Sequence, residues 1–368
     1  MLPVGKSRYS ADQTGTNAAL ELEATTMRIL FSMLAAAVSA AAMQTSAAAQ
    51  GAVNVYCSVQ VEWCQAIAVN FEKATSVKVN MVQKGSGEML AQIRAEAANP
   101  RGDVWFGGTG DPHLSAAEDN LTQEYDSPEI KNLHPWAQNQ WTTAKKRTVG
   151  VYLGTLGFGF NKEILTKKKL AEPKCWADIV KPDYKGEVQM ANPNSSGTAY
   201  TMVATLVQVM GEPQAFEYMK KLHPNINSYT RSGTAPVKAV ARGETGVSIS
   251  FMHDAVTEAN AGFPVGTHAP CEGTGFEIGS MSIIKGARNL TNARKFYDWA
   301  LTPAAQRLGY DAGKQLQLPS SKAAPLPPGA PDAASIKLIN YDFAKYGTNE
   351  ERKRLLAKWD AEVGSLPR

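Results

Sequence analysis

From Val53 onward the chain alternates strand and helix signals, and this alternation limits its fold more than any other feature. VNVYC reads as a strand, and Trp63, Ile67 and Phe71 then fall on one helical face. VKVNMVQ is a second strand, Met89, Leu90, Ile93 and Ala97 mark a second helix, and Val104 to Phe106 form a third strand. A β-α-β-α order returns each crossover helix to the same sheet, so the strands run mostly parallel with helices on both faces. The predicted class is α/β. With 368 residues, 43% of them hydrophobic and 20% charged, the chain is long enough for two such units.

The joints between these elements carry the first functional signal. Ser58 follows the first strand, Gly85, Ser86 and Gly87 follow the second, and Gly107, Gly108, Thr109 and Gly110 follow the third. Ligands of open α/β sheets lie beyond the carboxyl ends of the strands, and helix N-termini offer N–H groups to anions. Ordinary turns use the same residue types. Three such joints at successive strand ends point to a shared crevice, with Asp111 and Pro112 starting the next helix.

The pattern then repeats. Thr148 to Asn161, TVGVYLGTLGFGFN, is an extended glycine-rich run expected to cross into a second lobe. There the strand EVQM is followed by Asn192 to Thr198 and by a helical stripe of Met202, Val203, Leu206, Val209 and Met210, with Ser or Thr at the N-cap. Arg231 to Thr234 opens a short helix, and VSISFMHD follows, an alternating strand that ends in His253 and Asp254. That pair reads either as a site or as a satisfied capping pair. Glu277, in CEGTGFEIGS, stands just before Met281 to Ile284, the expected return crossing.

Three further features bound the function. Met27, Arg28, the apolar run from Ile29 and the small residues Ala47 to Ala49 describe a signal peptide cut near Ala49/Gln50, too short and Ala-rich to span a membrane. Residues 1–49 are therefore set apart as an upstream extension plus signal peptide, with the start expected at Met27. Their three basic and three acidic groups cancel, so the remainder keeps the net +4, which suits an anionic small ligand. No Lys/Arg run is interleaved with aromatics, which argues against nucleic acid. The four cysteines allow three pairings. Cys57 with Cys64 and Cys175 with Cys271 is the preferred one; a metal site is the lesser reading, since no spacing is CxxC.

Taken together, the signal peptide, GDVWFGGTGDPHL, VYLGTLGFGFN, PNSSGTAY and TPAAQ resemble the periplasmic solute-binding proteins of ABC importers, in the branch that includes ferric-iron-binding proteins. The resemblance covers Val53 to Arg368. It implies a type II two-lobed clamshell joined by two crossing strands, with residues 50–151 plus 284–330 in one lobe and 152–283 plus 331–368 in the other. It also implies a monomeric periplasmic protein, not an enzyme, that serves permease and ATPase subunits at the inner membrane and needs no cofactor. Iron-binding members carry adjacent tyrosines where this chain has Met252 and His253, which argues against ferric iron.

His253, Asp254 and Glu277 are similar instead to the residues that hold the sugar in the hexose-phosphate-binding, Afu-type members. By the same resemblance the phosphate falls among Ser58, Ser86, Gly87, Gly108, Thr109, Ser195, Ser196, Gly197 and Thr198. The chemistry agrees: carboxylates accept from sugar hydroxyls in charge-assisted bonds worth roughly 1.5–3 kcal/mol each. A helix N-terminus offers a phosphate about 0.3–1 kcal/mol, up to ~2 when partly buried. Micromolar affinity needs about 8 kcal/mol net, so a ligand that engages both ends is expected. The rival readings are a ferric-iron or other metal carrier, a binder of a phosphonate or another phosphorylated compound, and a metal-assisted phosphatase, for which no nucleophile motif is present.

Overall fold

The computed structural model describes residues 51–367. The expected signal peptide and the Met27 start lie outside the described residues. In chain order the first elements are β1 (Ala52–Cys57), α1 (Val61–Thr75), β2 (Lys78–Gln83), α2 (Ser86–Ala95), β3 (Val104–Phe106), α3 (Gly110–Glu118), β4 (Thr122–Gln123) and α4 (Pro135–Thr143). The long β5 (Val149–Asn161) leads to α5 (Lys162–Lys168), β6 (Val188–Ala191), α6 (Gly197–Met210), α7 (Glu212–Leu222), β7 (Ile226–Thr230), α8 (Ala235–Ala241), β8 (Val247–Phe251), α9 (Met252–Asn260) and β9 (Val265–His268). The chain returns through β10 (Phe276–Ile284) to α10 (Leu290–Ala300), α11 (Pro303–Gly313), β11 (Leu318–Pro319), α12 (Phe343–Tyr346) and α13 (Asn349–Trp359).

The strands lie in the order β2-β1-β3-β10-β5-β8-β6-β7. At one end β1 runs parallel to both β2 and β3; at the other β6 runs parallel to both β7 and β8. β5 and β10 join these two parallel sets. Residues Val149 to Thr155 of β5 pair antiparallel with β10, whereas Leu156 to Phe160 pair with β8, so one strand serves both halves. β10 pairs in turn with β3. This is the two-lobed, type II arrangement, and β5 with β10 are its two crossing strands.

Each half has its own core. In the first, Trp63, Phe71 and Phe106 meet Phe296 and Tyr297 of α10; in the second, Phe158, Trp176, Tyr200 and Phe216 meet Tyr341, Leu355 and Trp359 from the C-terminal segment. Each such side chain contributes about 1.5–3 kcal/mol on leaving water, which is why chain segments remote in sequence return to one half or the other. Disulfides join Cys57 to Cys64 and Cys175 to Cys271, the expected pairing. Among the described residues, the cluster with metal-ligand spacing is Cys175, Cys271 and Glu272, and its two sulfurs are bonded to each other.

Two local expectations need refinement. His253 and Asp254 do not end a strand: β8 stops at Phe251, and the pair occupies the first turn of α9, where the chain turns into a helix directly. Thr302 caps α11 through a bond from Ala305 N. Thr109 and Ser196, at the N-caps of α3 and α6, make no side-chain cap bond.

Candidate functional site

A cleft between the halves is lined at one end by His253, Asp254 and Glu277, with Phe251, Tyr152, Gln60 and Gln317 beside them. At the other end it is lined by Ser58, Ser86, Gly108 and Thr109 from the first half and by Ser196, Gly197 and Thr198 from the second. Loops at the carboxyl ends of β1, β2, β3, β6 and β8 supply most of these groups, as the doubly wound topology requires.

The acidic end is almost fully dry. His253, Asp254 and Glu277 are 2%, 5% and 3% exposed. Burial lowers the His253 pKa to about 3, so the ring is neutral and offers one donor and one acceptor. It stacks on Phe251 with centroids 5.5 Å apart, and its Nδ1 has no hydrogen-bond partner among the described residues. Its Nε2 lies 3.6 Å from Asp254 Oδ1, and with a neutral ring this contact is not an ion pair. Burial pushes Asp254 up to about 7, opposed by a hydrogen bond from Gln60 and by the Lys238 charge. Glu277 is raised well above the usual carboxyl range by burial, then by the neighbouring Asp254 and Asp111. A side chain on Gly154 of β5 would meet His253 Nδ1 at 2.6 Å and Glu277 Oε1 at 3.0 Å, so this glycine gives both groups their floor. Buried groups that can both donate and accept suit a ligand that does the same, such as a polyol.

The opposite end is built from helix starts. The N-termini of α2, α3 and α6 converge there, and their partial positive charge favours an anion. Ser86 Oγ accepts from Gly197 N at 3.2 Å and lies 3.4 Å from Thr109 Oγ1. Gly108 has φ +84°, a region that favours glycine, and a side chain there would lie 2.7 Å from Ser86 Cβ and 2.8 Å from Ser58 Cβ. Neither Thr109 nor Ser196 makes a cap bond; Thr109 Oγ1 shares the Ser86 contact, and the Ser196 hydroxyl faces the cleft lining. Lys84 adds a cation to the lining.

Of the twelve residues expected here, ten line this one cleft. Gly87 and Ser195 do not, because they engage each other across it: Gly87 N and Glu88 N both donate to Ser195 O, at 3.1 and 3.2 Å. Arg231 pairs with Glu88, and Lys238 with Glu62 at 3.4 Å, so the halves meet along the rim as well. Gln60, Lys84, Tyr152, Gln317 and Ser232 to Thr234 were not singled out for the site from sequence. Tyr152 carried a usable signal, a hydroxyl inside an apolar crossing strand that needs a partner; it accepts from Gly108 N at 2.9 Å. Gln60 and Gln317 carried none, being isolated loop amides.

Comparison with known proteins gives a consistent picture. The family model described as bacterial extracellular solute-binding protein matches residues 109–346. An "uncharacterized protein" of Haemophilus influenzae is 45% identical over 323 residues, 88% of this chain and 93% of the relative. The periplasmic binding protein AfuA from Actinobacillus pleuropneumoniae, solved with exogenous fructose-6-phosphate bound, is 44% identical, with a TM-score of 0.83 over 86% of this chain and 100% of its own. The periplasmic binding protein P5PA is 39% identical, with a TM-score of 0.83 over 85% and 100%. Solved ferric-ion-binding proteins match at 18–20% identity, which shows the fold alone.

Proposed function

The chain belongs to the bacterial extracellular solute-binding proteins, in the branch that AfuA represents, and on that premise we propose that it captures a phosphorylated sugar of the hexose 6-phosphate type. The observation that carries this reading is the pairing, in one cleft, of a buried His and two carboxyls with three helix N-termini. The phosphate sits among the helix starts, where N–H groups and hydroxyls meet its charge. The sugar hydroxyls reach His253, Asp254 and Glu277. A ligand held at both ends touches both lobes, taken as residues 50–151 with 284–330 and 152–283 with 331–368, and so favours the closed cleft. The chain is exported to the periplasm through its signal peptide and hands the ligand to the permease and ATPase subunits of an ABC importer.

Calorimetry on the purified protein tests this reading. Fructose 6-phosphate and glucose 6-phosphate are expected to bind with Kd of about 1 μM or below, against at least about 100-fold weaker binding of glucose and of inorganic phosphate. Binding that requires added ferric iron overturns the reading in favour of a metal carrier, and released phosphate overturns it in favour of an enzyme.

A further inference from the structure

We propose that Gln60 is a positioning residue of this cleft: it reaches across the lobes to fix the Asp254 carboxylate for a ligand hydroxyl, and does so only when the lobes are closed. The inference rests on the sugar-phosphate reading above. Gln60 stands at the N-cap of α1 but makes no cap bond with its side chain. Its amide crosses the cleft instead. Nε2 donates to Asp254 Oδ1, and Oε1 accepts from Gln317 Nε2 at 3.3 Å. Gln60, Asp254 and Gln317 are all buried. Gln317 precedes β11, whose two residues pair with Leu153 and Tyr152 of β5, while Asp254 rides on α9 beyond β8. The three-part bridge therefore exists only while the cleft is shut.

The anchoring of Gln60 suits this task. Its loop is bracketed by the Cys57–Cys64 disulfide and also carries Ser58 and Val59, both of which line the cleft. The amide donor occupies one oxygen of Asp254 and leaves the second for the ligand. The donor also favours the charged carboxylate, which hydroxyls bind best. The other groups bearing on Asp254 are mixed. Lys238 supports its charge, Glu258 and Glu62 oppose it, Glu277 is a second buried acid of the cleft, and neutral His253 lies 3.6 Å away. Gln60 is thus the cross-lobe donor that sets this carboxylate for hydroxyl recognition. An inorganic phosphate ion, held at the helix starts, has no use for it.

Gln60→Met keeps most of the side-chain volume and removes both amide bonds; Gln317→Leu leaves Gln60 in place but removes its orienting donor. Fructose 6-phosphate and inorganic phosphate affinities are measured for both variants between pH 6 and pH 9. The inter-lobe distance distribution of the ligand-free protein is measured with a label on each lobe. Gln60→Met is expected to weaken fructose 6-phosphate about tenfold at pH 7, more at pH 6 and less at pH 9, while inorganic phosphate, which depends on Gln60 only through lobe closure, weakens by no more than about twofold. Gln317→Leu is expected to lose part of that, and ligand-free Gln60→Met to populate wider lobe separations. Equal losses for both ligands at every pH, or unchanged affinity with an unchanged distance distribution, overturn the proposal. If the unsubstituted protein binds no fructose 6-phosphate, the functional reading falls by itself, and the ligand-free distances still decide the role of Gln60.

Discussion

Glu277, proposed to meet a sugar hydroxyl, is a buried acid that opposes the stability of its own fold at neutral and higher pH. Buried beside Asp254, it holds a proton that the unfolded chain would release near the ordinary carboxyl pKa, and Asp254 does the same up to about 7. A carboxyl whose folded pKa is raised contributes stability below its unfolded pKa and loses it as pH rises through the folded value. Two buried imidazoles, His253 and His113, pull the other way, because both are lowered to about 3 and their contribution is lost only as pH falls below the ordinary histidine range. Between about pH 6.5 and 8 the histidines no longer matter, and the ligand-free protein is expected to lose stability as pH rises. Glu277→Gln removes one of these acids at equal size. At pH 8 it is expected to raise the Tm of the ligand-free protein by at least about 2 °C and to flatten the pH slope, while sugar-phosphate affinity falls. Thermal denaturation across that range checks it; a lower Tm at pH 8 contradicts the burial account. The residue types of this end were legible from VSISFMHD and GTGFEIG. Their burial and perturbed ionisation were not, because these depend on Gly154 and Phe251 closing around them.

At the scale of elements, the helix starts differ in whether the N-cap side chain is used by its own helix. Thr302 accepts the Ala305 N–H and fastens α11, whereas Ser196 and Thr109 occupy the same position on α6 and α3 without a cap bond. Thr302→Ala is therefore expected to cost about 1 kcal/mol of stability and leave affinity unchanged. Ser196→Ala is expected to leave stability within about 0.5 kcal/mol and to weaken hexose 6-phosphate binding. Denaturant unfolding and calorimetry on both variants check the contrast; equal stability losses would remove it. The small polar joints after β1, β2, β3 and β6 were readable from residue type and spacing. Which joint faces the cleft and which meets its counterpart was not: Gly87 and Ser195 look like their neighbours in sequence, yet they hydrogen-bond to each other across the lobes.

Over the whole molecule, the halves meet both inside the cleft and at its exposed rim. The Lys238–Glu62 pair is exposed at the rim, and surface pairs of this kind contribute about 0–1 kcal/mol. Lys238→Ala is accordingly expected to change the hexose 6-phosphate Kd by less than about fivefold, whereas the buried ends carry the rest; a loss of about 100-fold would place the main binding contact at the rim. The sequence by itself determined the α/β class, the two crossing runs and the set of hydroxyl, glycine, histidine and carboxyl residues at the strand ends, because each is written in local periodicity, spacing or residue chemistry; of the three cysteine pairings it allowed, it favoured the one the structure holds. Only the tertiary structure decided that His253 and Asp254 start a helix, that β5 is shared between both halves, and that Gln60, Tyr152 and Gln317 join the cleft. These last depend on contacts between segments far apart in the chain, 257 residues between Gln60 and Gln317 within one half and 194 between Gln60 and Asp254 across the cleft, and such contacts leave no periodic trace in the sequence.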